Sequence, residues 1–152
     1  MTHDGSTQAR PLADDPARGM PRLPLWAASL TIETGLLHAI ACSDHFREWW
    51  GYGVFFLAVA LCQIIGGTAL LVTSSRGLYL TGIVGMAVVL AVWAASRTVG
   101  VPIGPDGGGP EPIGLLDGAC SLLEATVICV LLRLLRRPSP APLAGALAGN
   151  RI

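Results

Sequence analysis

Lysine is missing altogether from these 152 residues; all ten basic positions are arginine. Charge of either sign is scarce, at 13% of the chain against roughly 25% in ordinary soluble domains. Ten basic and ten acidic residues give a formal net charge of +0, which excludes the basic footprint that nucleic acid requires. The lysine gap, together with abundant Ala, Gly and Leu, points to a GC-rich bacterial genome, a codon argument and not a physical one. No C-x-x-C pair occurs among Cys42, Cys62, Cys120 and Cys129, so thioredoxin-type and zinc-type spacings are absent. All four lie in apolar segments and are expected to act as small buried hydrophobes. There is no G-x-S-x-G, no H-E-x-x-H and no catalytic Cys–His spacing. The GPDGGGP stretch at 104–110 is no phosphate loop, because no strand precedes it and no Gly-Lys-Ser/Thr follows. An enzyme is the class with least support.

What the chain does have is long apolar runs, with 52% hydrophobic residues and a mean hydropathy of +0.59. Leu25–Cys42, Trp50–Thr73, Leu78–Ser96 and Gly114–Leu135 supply 18, 24, 19 and 22 residues. A helix needs about 20 apolar residues to cross a bilayer core of about 30 Å, and a barrel would need short alternating segments instead. The expected fold is therefore all-α: a polytopic four-transmembrane-helix bundle in a membrane domain at 23–136. Pro24 suits the first turn of the first helix. Ala39-Ile40-Ala41 has the form of a signal-peptidase site, but Glu33 and His38 inside the apolar run and Asp4, Asp14 and Asp15 before it oppose that reading. Residues 1–22 and 137–152 read as a disordered arm and tail.

Arginine counting sets the orientation. With the N-terminus inside, Arg10, Arg18, Arg22, Arg76, Arg133, Arg136, Arg137 and Arg151 face the cytoplasm, and only Arg47 and Arg97 face out. The expected location is the plasma (inner) membrane of a bacterium, with both termini cytoplasmic. Asp44, His45, Arg47 and Glu48 then form a short outer loop, with Trp49, Trp50 and Tyr52 as an aromatic anchor at headgroup depth. The Gly/Pro-rich stretch 97–114 is the second outer loop and is expected to be a mobile cap. Ala87, Ala91 and Ala95, and Gly114 with Gly118, have small-x-x-x-small spacing that lets helices approach closely in lipid. The strings DHFREWWGYGVFFL, ASRTVGVPIGP and EPIGLLD resemble small four-helix membrane proteins of actinobacteria over about residues 25–135. That resemblance implies architecture and no catalytic residues.

Ionisable residues at membrane depth are costly and mark function by default. Glu33, Gln63 and Glu124 are expected to share a layer near the midplane, and His38 and Asp117 a shallower one. Each carboxylic acid also has a plainer reading, protonated and hydrogen-bonded to a neighbouring helix. Asp44, His45, Glu48 and Arg97 are expected to gather above Asp117 as a water-accessible outer pocket. This pattern suits a small multi-pass protein that binds or moves a proton, cation or small ligand at a polar intramembrane site open to the outer face. A first-helix glutamate in so short a chain resembles small multidrug-resistance transporters, but the strong arginine bias, Asp117, Glu124 and the long second outer loop depart from them. The alternatives are a non-catalytic accessory or assembly subunit, and a metal- or haem-binding protein. For the last, His38 with Cys42 and His45 with Glu48 share helix faces, but the two histidines stand about 10 Å apart along the axis, too far for one ion. No metal and no cofactor is assigned. The expected partner is the lipid bilayer, with a homo-oligomer or a place in a larger membrane complex left open.

Overall fold

The computed structural model describes residues 22–105 and 108–137. The arm expected at 1–22 (Arg22 apart), the tail expected at 137–152 (Arg137 apart) and Gly107 of the second loop lie outside them. The described residues form four helices: α1 (Arg22–Glu48), α2 (Trp50–Val72), α3 (Arg76–Thr98) and α4 (Leu115–Leu135). Each is long and apolar enough to cross a membrane, and the fold is an all-α four-helix bundle with no strand among the described residues.

Three of the helices start or end near the expected positions, whereas α1 runs on through Glu48 instead of stopping at Cys42. Polarity in Asp44–Glu48 marks depth and not a helix end. These residues include no Pro or Gly, and Arg47 pairs with Asp44 at 2.8 Å, and His45 with Glu48 at 3.4 Å, each across one helical turn. The helix breaks only at Trp49, whose extended backbone (φ −162°, ψ 135°) separates α1 from α2 by a single residue. Phe46 makes so tight a hairpin possible by lying over Gly53, where any Cβ would fall inside its ring. At 27 residues α1 spans about 40 Å, longer than a bilayer core.

α1 packs closely on α2 and also on α4, α4 packs on α3, and α2 and α3 barely touch. The α1–α2 seam uses small residues seven apart on each helix, Ala28 with Gly35 and Ala60 with Gly67. A Cβ on Gly35 would stand 3.1 Å from the Ala60 carbonyl, and one on Gly67 3.0 Å from that of Ala28. Close backbone approach of this kind is how helices associate in lipid, where no hydrophobic force separates a neighbour from the solvent. The apolar core gathers Ala27, Ala28, Leu70, Tyr79, Met86, Val127, Leu131 and Leu134 near one end. Trp26, Ile40, Ile65, Val84 and Leu122 are exposed on the outside, where a soluble protein would carry charge. Ala87 and Ala91 of the small-residue pattern also face outward.

Candidate functional site

Opposite that core, α1 and α3 end and α2 and α4 begin, and residues 99–105 and 108–114 fold back over them. This is the rim end. Here the bundle encloses a cavity of about 310 Å³ that reaches from the rim down to His38 and Glu124.

Its floor is polar. Glu124 is 1% exposed, and its Oε1 accepts a hydrogen bond from Gln63 Nε2 at 2.9 Å. His38 Nε2 stands 3.8 Å from the same oxygen, too long for a hydrogen bond. His38 Nδ1 donates to the Thr34 carbonyl at 2.9 Å, since a carbonyl can only accept. That choice leaves Nε2 as the ring atom facing Glu124. Cys120 and Ser121 stand one turn above Glu124 on the same face of α4, both buried. The walls are aromatic: Phe55 and Phe56 from α2 and Trp93 from α3, with His45 stacked on Phe56 at 3.7 Å between ring centres.

The rim centres on Arg97. Its side chain is 11% exposed and forms ion pairs with Glu111 and, at 2.5 Å, with Asp117. Asp117 is held for this role by the Gly114 N–H at 3.2 Å, in the first turn of α4, where a carboxylate suits the helix dipole. The Glu111 N–H donates to the Ser96 carbonyl at 3.0 Å, and Tyr52 Oη donates to Ile103 O at 2.6 Å. The second loop is therefore a cap tethered at three points. Two buried N–H groups from one face of α3, Trp93 Nε1 and Arg97 Nε, have no hydrogen-bond partner among the described residues.

Several expectations change here. Glu33 is exposed on the outer surface of α1 and takes no part in the floor. His38 stands in its place, because α1 continues six residues beyond Cys42, to Glu48. That extension lowers His38 by about 9 Å relative to the end of its helix, into the Gln63–Glu124 layer and out of the Asp117 layer. Gln63 and Glu124 do share a layer. His45, Glu48, Arg97 and Asp117 all line the cavity. Asp44 does not; it is exposed and pairs with Arg47. Cys42 Sγ contacts the Gly53 carbonyl at 3.4 Å, apart from the polar floor. Among the described residues no group of three or more His, Cys, Asp or Glu side chains is arranged to hold a metal ion.

Glu111, Trp93 and Phe56 belong to the site but are not among the residues that the sequence singles out, whereas Ser121 lies on the Asp117–Glu124 face of α4 that the sequence marks. A signal for Glu111 existed, since Arg97 is the lone arginine between Arg76 and Arg133 and the acidic residues that follow it in the chain include Glu111. No family model, no curated protein and no solved structure matches this chain.

Proposed function

We propose that this chain is a multi-pass plasma-membrane protein whose rim end faces outward and whose cavity binds a small cationic ligand, the proton being the smallest of that class. The observation that carries the reading is Glu124, a carboxylic acid buried at the floor of an accessible cavity and met by polar groups from two other helices. Acidic groups in the cavity (Glu48, Glu111, Asp117, Glu124) outnumber its single arginine, so its potential favours positive charge. Phe55, Phe56 and Trp93 offer ring faces on which a cation is further stabilised. The arginine bias supports a cytoplasmic position for both termini, which turns the rim outward.

Binding of propylammonium to the protein in lipid nanodiscs tests this. Saturable binding in the wild type and in Glu33→Gln, with loss in Glu124→Gln, is the expected result. Equal binding by Glu124→Gln overturns the reading and favours the alternative of an accessory subunit whose buried polar groups only pair helices.

A further inference from the structure

A second cavity, of about 440 Å³, lies between α2 and α3, where the bundle is least closed. Both cavities fall within the usual size range of ligand pockets, about 300–1,000 Å³. Gly66 on α2 and Gly82 and Gly85 on α3 hollow out the cleft, and Val59, Leu70 and Met86 make it apolar. Phe55 and Val89 line both cavities, so the cleft adjoins the chamber above it.

Gln63 marks the junction. It lines the cleft, is 7% exposed, and donates through Nε2 to Glu124 on the chamber side. With Nε2 given to the Glu124 oxygen, Gln63 Oε1 is buried with no hydrogen-bond partner among the described residues. A buried acceptor without a donor is costly. An ammonium group carries three N–H donors and no acceptor, so it satisfies Gln63 Oε1 and Glu124 together.

We propose that the α2–α3 cleft seats the hydrocarbon chain of a single-chain amine amphiphile drawn from the bilayer, with its ammonium head held between Gln63 Oε1 and Glu124. This rests on the cationic reading of the chamber and names the ligand class. The chain gains little free energy on leaving lipid for an apolar cleft, since lipid tails are as apolar as the cleft walls. The cleft therefore provides sideways access and register, and the head provides affinity. A neutral molecule of the same length has no donor set to match the two acceptors and no charge to match Glu124.

The test uses the full chain in lipid nanodiscs and dodecylamine carrying a diazirine near the chain end, with labelled peptides mapped by mass spectrometry. Label is expected within 59–70 and 78–89, displaced by excess dodecylamine but not by dodecanol. A Cβ at Gly85 or Gly66 would meet nothing within 4 Å, so Gly85→Leu and Gly66→Leu enter the cleft from positions that have room at Cβ, and an unchanged melting temperature checks that each variant folds. Gly85→Leu should cut cleft labelling about tenfold, equivalent to roughly 1.4 kcal/mol, while propylammonium still binds. Label spread evenly over lipid-facing residues such as Ile40 and Leu122, competition by dodecanol equal to that by dodecylamine, or unchanged cleft label in both plugged variants overturns the proposal. With propylammonium bound normally, those outcomes remove the cleft alone. Failure of the wild type to bind propylammonium removes the cationic reading of the chamber as well.

Discussion

Gln63 on α2 and Glu124 on α4 join two helices whose backbones do not otherwise approach each other, through one buried hydrogen bond of 2.9 Å. His38 on α1 adds a third helix to the same point. Removing one partner strands the other, at a cost of about 1–3 kcal/mol. Gln63→Leu and Glu124→Leu should each destabilise the bundle, and the double variant by less than their sum. Interhelical polar pairs in membranes couple by about 0.6 kcal/mol, at most about 1.7, so the cycle should return a value in that range. Thermal unfolding in bicelles measures it, and additivity within about 0.3–0.5 kcal/mol would mean that the bond adds nothing to stability.

The seam between α1 and α2 makes a sharper demand. Gly35→Leu and Gly67→Leu press a side chain against backbone carbonyls at 3.1 and 3.0 Å, which cannot yield as a side chain does. Each should destabilise by about 1–3 kcal/mol, the usual range for overpacking. Gly85→Leu, facing open space, should leave the melting temperature unchanged and is the control. Equal effects at all three positions would mean that close approach is not what these glycines serve.

Arg97→Gln should release the second loop. Its guanidinium holds Glu111 and Asp117, and charge-assisted bonds of this kind are roughly twice as strong as neutral ones. Glu111 is 45% exposed and Asp117 26%, so solvent screens the first pair more, and Asp117→Asn should be more harmful than Glu111→Gln. Protease sensitivity of the 99–114 segment in the three variants gives the order, and the reverse order would contradict the burial argument.

A second tether acts on the other side of that loop. Tyr52→Phe deletes the hydrogen bond to the Ile103 carbonyl, 2.6 Å in the intact protein, worth about 0.5–1.5 kcal/mol. Hydrogen exchange should quicken in 100–105, where Gly100 and Gly104 hold positive φ values of 77° and 108°, and should stay unchanged in α4. A change in α4 equal to that in the loop would show a general loosening instead.

Orientation is open to a direct check. Reporter fusions after Arg76 and after Gly108 should fall in opposite compartments, the first cytoplasmic and the second external. The same compartment for both would contradict the threading, and the reverse assignment would turn the chamber toward the cytoplasm.

Much of the site was legible as depth. Counting residues from the ends of α2 and α4 brought Gln63 and Glu124 to one layer, because those helices start close to where the apolar runs start. The same count fails on α1, because Asp44–Glu48 are polar yet helical; a count from Cys42 is six residues short of the helix end, which puts Glu33 in the layer that His38 occupies. Angular position corrects it: Thr31, Thr34, His38 and Cys42 recur at spacings of 3, 4 and 4 on one helix face and are all buried, whereas Glu33, five residues from His38 and so about 140° away, is exposed.

Four apolar runs, each as long as a bilayer is thick, determined by themselves that the chain would form four helices, because a backbone in lipid has to satisfy its hydrogen bonds within each segment. The fourfold excess of arginine on one side of those runs carries the reading of direction, through the charge asymmetry of membrane insertion. Which helices touch was decided only in three dimensions. Hydropathy cannot rank neighbours when lipid is as apolar as any of them; the α1–α2 pairing rests on where Ala28, Gly35, Ala60 and Gly67 let backbones close in, and the order α2–α1–α4–α3 emerges only in the packed bundle. The gap left between α2 and α3, and the meeting of His38, Gln63 and Glu124 beside it, follow from that packing and from no single stretch of the chain.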